Sequence, residues 1–168
     1  MSERVDYQMR LAALRARTIE HRESSSLNAA ILRTMAVLRK TQIGETLHWQ
    51  VELPDDINVD IHRQDLMELV GVALENAAKW AATMVKVRTK RAGEAVVLDI
   101  GDDGPGIAPE LVEKLGRRGV RLDENVPGTG LGLAIVSEIL ELNRGQIEYL
   151  RSEAGGLLVR MHLPLAAK

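Results

Sequence analysis

Leu74-Glu75-Asn76-Ala77-Ala78-Lys79-Trp80, then Asp102-Asp103-Gly104-Pro105-Gly106, then Gly128-Thr129-Gly130-Leu131-Gly132-Leu133 are the strings whose order decides how this 168-residue chain is read. The first closes an amphipathic helix. Leu66, Leu69, Val70, Ala73, Leu74, Ala77 and Trp80 keep helical spacing, which leaves Glu75, Asn76 and Lys79 beside the buried stripe. The second string ends a strand over residues 95–100, which a turn at residues 91–94 joins to the alternating Val85 and Val87. The third opens a helix over residues 131–142. Each alone is weak, because G-x-G-x-G matches neither the dinucleotide-binding nor the P-loop glycine pattern. Three in one order are a stronger signal than any one of them.

Together they supply what an ATP pocket needs. A carboxylate facing the adenine N6 amine accepts its hydrogen bond and repels the oxygen that guanine presents there; Asp102 is the candidate, with Gly104 and Gly106 letting backbone approach the base. The expectation is ATP over GTP. Asn76 offers a neutral amide oxygen to Mg²⁺, a metal that prefers oxygen ligands and commonly shares them with substrate phosphates. Lys79, three residues on, can neutralise phosphate charge. The glycines from Gly128 to Gly132 leave unpaired N–H groups and the positive end of a helix dipole for a polyphosphate. Arg117, Arg118 and Arg121 precede them in a polar, aperiodic loop that could close over the phosphates. Taken singly, each feature also has a plain reading: Asp102 as a strand-end turn, Asn76 and Lys79 as solvated helix residues, the arginines as a solvated loop.

Composition narrows the alternatives. With 22 basic and 24 acidic residues there is no footprint for nucleic acid, and only Trp49, Trp80, Tyr7 and Tyr149 are aromatic, too few for base-stacking platforms. The core must come from Leu, Val, Ile, Met and Ala. The chain has no Cys, which removes disulfides and thiolate chemistry and suits a reducing compartment. Nothing reads as a signal peptide or a membrane span, so a cytoplasmic location without membrane contact is expected of this stretch.

The remaining elements follow from periodicity. Tyr7, Leu11, Leu14 and Thr18 make a helical stripe, and Leu27, Ile31, Met35 and Leu38 another, N-capped by Ser26 and running toward Gly44. Strands are expected over residues 47–53, 57–61, 146–151 and 157–163, the last two joined by a hairpin at Gly155-Gly156. A short helix is expected over residues 109–116. His48, His62 and His162 read as structural.

Glu75 to Trp80 resembles the N box, Asp102 to Gly106 the G1 box and Gly128 to Gly132 the G2 box of the catalytic, ATP-binding domain of bacterial sensor histidine kinases. These belong to the superfamily shared with gyrase, heat-shock chaperones and MutL. Tyr7 through Trp80, with Arg118-Gly119-x-Arg121, looks most like the PhoQ-type kinases. The resemblance covers nearly the whole chain. It implies a two-layer α/β Bergerat fold, a mixed sheet with three helices on one face, and a mobile ATP lid over residues 107–130. It also implies that residues 1–22 end a dimerisation hairpin and its linker, with the catalytic domain at 23–168. The implied nucleotide-binding set is Asn76, Lys79, Trp80, Asp102, Gly104, Gly106, Ile107, Arg118, Arg121, Gly128, Thr129, Gly130, Leu131 and Gly132. Within it Asn76 and Lys79 act in catalysis and Asn76 holds the metal. ATP and Mg²⁺ are the implied cofactors. The implied partners are the phosphoacceptor domain of a parent kinase, itself an inner-membrane sensor, and a response regulator.

Three departures stand out. Val72 occupies the place, four residues before Asn76, where most relatives carry another Asn and the ATPases of the superfamily a general-base Glu. Leu115-Gly116 replaces the F-box phenylalanine. His21, followed by Arg22-Glu23-Ser24, lacks the acid and proline of an H box. A degenerate nucleotide-binding module and an autonomous ATPase are the competing expectations.

Overall fold

The computed structural model describes residues 5–13, 24–108, 110 and 132–167. Within them, helix α1 covers residues 5–13. Strand β1 (Ser24–Ser26) leads directly into α2 (Leu27–Leu38), followed by β2 (His48–Glu52), β3 (Asn58–Asp60) and α3 (Arg63–Trp80). Then come β4 (Met84–Ala92), β5 (Ala95–Asp102), α4 (Gly132–Leu142), β6 (Gln146–Arg151) and β7 (Leu157–Pro164).

Five strands form one sheet in the order β2-β4-β5-β7-β6, with β2 parallel to β4 and every other pair antiparallel. β1 and β3 form a separate antiparallel pair, joined to the end of β7 by a bridge between Val59 and Leu165. α2 packs on α3 and α3 on α4, and α3 and α4 lie against the sheet.

Period-two alternation decides which face is covered. Val85 and Val87 of β4, Val96, Leu98 and Ile100 of β5, and Val159, Met161 and Leu163 of β7 are buried with Leu66, Leu69, Val70, Leu74, Ile135 and Ile139 from the helices. Each such Leu or Ile contributes about 1.5–3 kcal/mol through burial. Tyr7 and Leu11 of α1 join this core, and Arg10 pairs with Glu68 of α3. The other face of the sheet is polar. Asp99 takes two hydrogen bonds from Arg160, at 2.9 and 3.0 Å, and one from Arg88 at 3.3 Å. Burial pushes its carboxyl up, but the two guanidiniums outweigh that and leave it below the ordinary range.

Most expected elements are present within a residue or two. The turn of the β4–β5 hairpin tightens to Gly93-Glu94, with Gly93 at φ +64°. Ser26 caps α2 through its hydroxyl, which accepts from Ala29 N at 3.1 Å. Ser24–Ser26, for which the sequence suggested no strand, pairs with β3. One local expectation needs correction: the helix after it ends at Leu38, before Gly44, where Thr41 Oγ1 donates to Leu38 O at 2.7 Å and accepts from Gly44 N at 3.0 Å, turning the chain back. Gly44 matters there because a Cβ on it would lie 1.9 Å from Leu38 O. The expected helix at 109–116, Leu115-Gly116 and His21 lie outside the described residues, apart from position 110.

Candidate nucleotide site

The site grows from the C-terminal end of β5. Asp102 pairs in register with Val85, so it stands on the helix-covered face, in line with Ile100 and Leu98. A strand that buries alternate residues there carries one polar residue into the same layer, and Asp102 is 3% exposed. Its Oδ1 accepts from Gly104 N at 2.9 Å and from Leu157 N, at the start of β7, at 3.3 Å. Its Oδ2 accepts no hydrogen bond from the described residues. Burial raises the carboxyl above its ordinary value, the two amide hydrogen bonds offset part of that, and the neighbouring Asp103 charge adds to it.

The backbone around Asp102 is packed as tightly as the side chain. A Cβ on Gly104 would lie 2.0 Å from Trp80 O, so the chain after β5 passes directly under the end of α3. That contact brings the Asp102 and Asn76 strings together. Along α3, Glu75 is exposed, while Asn76, Lys79 and Trp80 are half-buried beside the core stripe. Lys79 Nζ lies 4.0 Å from Glu75 Oε1. Val72, one turn before Asn76, reaches the first residue of α4: a Cβ on Gly132 would sit 3.0 Å from Val72 Cγ1. Ile107 packs half-buried against the core.

Of the expected site residues, Asn76, Lys79, Trp80, Asp102, Gly104, Gly106, Ile107 and Gly132 fall within the described part, on α3, the end of β5 and the start of α4. Arg118, Arg121, Gly128, Thr129, Gly130 and Leu131 lie outside it. Among the described residues no group of three or more His, Asp, Glu or Cys is placed to hold a metal.

Sequence reading missed two participants. Asp103 Oδ1 accepts from the backbone N–H groups of Ala82, Thr83 and Met84, each at 2.9 Å, and Oδ2 takes the Thr83 hydroxyl. It ties the loop after α3 to the end of β5. The second is Gly156, at the β6–β7 hairpin, where a Cβ would meet Asp102 Oδ1 at 2.1 Å. A doubled Asp before a glycine turn hinted at the first; nothing local distinguished the second from an ordinary hairpin residue.

Residues 61–167 match the family described as histidine kinase-, DNA gyrase B- and HSP90-like ATPase. The chain belongs to that family. It is 41% identical over 120 residues to the sensor protein kinase CarS of Pseudomonas aeruginosa, covering 70% of this chain and 27% of that one. It is 32% identical over 163 residues to the two-component sensor PhoQ of the same organism, covering 96% of this chain and 36% of PhoQ. The chain thus spans about a third of the length of these curated relatives. The mycobacterial sensor histidine kinase MprB superposes with a TM-score of 0.79 at 26% identity, over 88% of this chain and all of that one. The mixed sheet with helices on one face is the Bergerat fold of histidine kinase ATP-binding domains.

His62 caps α3, its Nδ1 accepting from Gln64 N at 3.2 Å. His162 on β7 meets Glu148 at 3.2 Å, and His48 lies exposed on β2. No helix among the described residues is long and apolar enough to cross a membrane.

Proposed function

We propose that this chain is the catalytic domain of a sensor histidine kinase that binds Mg·ATP and delivers the γ-phosphate to a histidine on a dimerisation domain. In the transfer the bond from the γ-phosphorus to the β,γ-bridging oxygen breaks and a phosphorus–nitrogen bond forms, leaving ADP and phosphohistidine. A response regulator then takes the phosphoryl group. Asp102 reads the adenine N6 amine, Asn76 contributes an amide oxygen to the metal, and Lys79 offsets phosphate charge. Arg118, Arg121 and the Gly128–Gly132 string serve the phosphates, with Trp80 and Ile107 lining the site. Catalysis here is mostly positioning and charge neutralisation, so the nucleophile comes from another module. Residues 1–22 belong to the end of the dimerisation hairpin, and the parent kinase is anchored in the inner membrane with this domain in the cytoplasm.

The observation that carries the reading is Asp102: a buried carboxylate with one oxygen held by two amides and the other without a donor among the described residues, beside the Asn76 helix, in a chain of this ATPase family. An autonomous ATPase is disfavoured. Val72 offers no base to deprotonate water, and Glu75 is exposed and turned toward Lys79.

Trans-phosphorylation is the test. The chain is incubated with Mg²⁺, γ-labelled ATP and a dimerisation domain of the parent kinase carrying its phosphoacceptor histidine. Acid-labile label on the added domain is expected; absence of transfer from a sample that binds ATP would favour a non-catalytic module. Asn76→Ala should abolish the Mg²⁺ dependence of binding, and retained dependence would move the metal elsewhere. Val72→Asn should increase transfer several-fold if the apolar side chain beside Gly132 weakens alignment of the phosphates.

A further inference from the structure

The β6–β7 hairpin, which lies in sequence far from the three strings, closes directly on Asp102. Besides the 2.1 Å approach to Asp102 Oδ1, a Cβ on Gly156 would sit 2.5 Å from Asp102 O and 2.7 Å from Gly104 N. Three atoms at those distances leave no room for a methyl group. The next residue, Leu157, uses its backbone N–H on the same Oδ1. The hairpin is itself held shut: Ser152 N donates to Gly156 O at 2.8 Å and Gly155 N to Ser152 O at 2.9 Å. Gly106 approaches it from the other side, where a Cβ would lie 3.1 Å from Gly155 O.

We propose that Gly156 is a specificity-determining positioning residue of the nucleotide site. Its missing side chain lets the hairpin close on Asp102, so that Leu157 and Gly104 amides occupy Oδ1 and leave Oδ2 as the acceptor for the base. This rests on the ATP-binding reading and deepens it. A carboxylate free to rotate would present either oxygen; one pinned through Oδ1 presents a single acceptor in a single direction, which is what discriminates an amine from a carbonyl.

Gly155 supplies the control. It has φ +98° and open space where a Cβ would be, so Gly155→Ala strains the hairpin without touching Asp102. ATP and GTP affinities are measured for the unsubstituted chain, Gly156→Ala and Gly155→Ala, together with thermal unfolding. Gly156→Ala should lose at least tenfold in ATP affinity with GTP binding little changed, and adding it to Asp102→Asn should cost nothing further. Gly155→Ala should unfold at lower temperature with the ATP-to-GTP ratio intact.

A Gly156→Ala protein that keeps that ratio overturns the proposal. If Gly156→Ala fails to fold, amide NMR of the unsubstituted chain decides. The Leu157 and Gly104 amide resonances should share one pH titration that disappears in Asp102→Asn; a Leu157 amide indifferent to that titration overturns the proposal equally. Failure of the unsubstituted chain to prefer ATP would instead sink the nucleotide reading itself, a separate result.

Discussion

Asp102 and Asp103 stand side by side at the end of β5, yet burial holds one carboxyl above the ordinary aspartate range while the other is drawn down to about 2. For Asp103 burial also pushes upward. There, however, the Thr83 hydroxyl and three backbone N–H groups outweigh it. The strand's alternation separates the two: Asp102 turns into the helix-covered layer, Asp103 toward the loop after α3. A carboxylate whose hydrogen-bonding capacity is spent on the backbone is structural. One held in a buried place with an oxygen left over is available for a ligand.

Exchanging charge for amide at each position is the sharpest way to break that comparison. Asp102→Asn should cost ATP roughly 30-fold in affinity, the worth of about 2 kcal/mol for a hydrogen bond to a charged group, and should erase the preference over GTP. Stability should hold or rise, since ionising a group with a raised folded-state value costs the fold at neutral pH. Calorimetric titration with both nucleotides and a thermal melt read the two effects. Retained ATP preference would refute the base assignment.

Asp103→Ala should do the reverse. Four donors lose their acceptor, and a loss of about 1–3 kcal/mol, or several degrees in the melting temperature, is expected with the ATP-to-GTP ratio kept. A ratio that collapses with the melt would show that the two carboxylates act as one unit.

Acid separates them more gently. Asp103 has a folded value below its unfolded one, so its contribution is complete above pH about 4 and fades as pH falls toward 2. Asp102, raised by burial, takes up its proton at higher pH. ATP affinity should therefore decline on acidification while circular dichroism still reports the native fold, and Asp103→Asn should reduce the acid dependence of stability, leaving the share that Asp99 carries. Simultaneous loss of binding and fold would contradict the assigned roles.

Sequence by itself determined the elements and nominated half of the candidate site. Alternation in β4, β5 and β7, the apolar stripe of α3 and the serine cap of α2 are local signals, and Asn76, Lys79, Asp102 and Gly104 were placed by spacing within their own strings. Only the tertiary structure decided which oxygen of Asp102 the Gly104 and Leu157 amides take, that Asp103 braces the Ala82–Met84 loop, and that Gly156 lies against Asp102. Those depend on segments 19 to 55 residues apart meeting at distances set by packing. The reason is geometric. Backbone periodicity reports which way a side chain faces, whereas a hydrogen bond or a missing Cβ reports what comes to face it, and that is fixed when the sheet closes and the hairpin lands on the strand end.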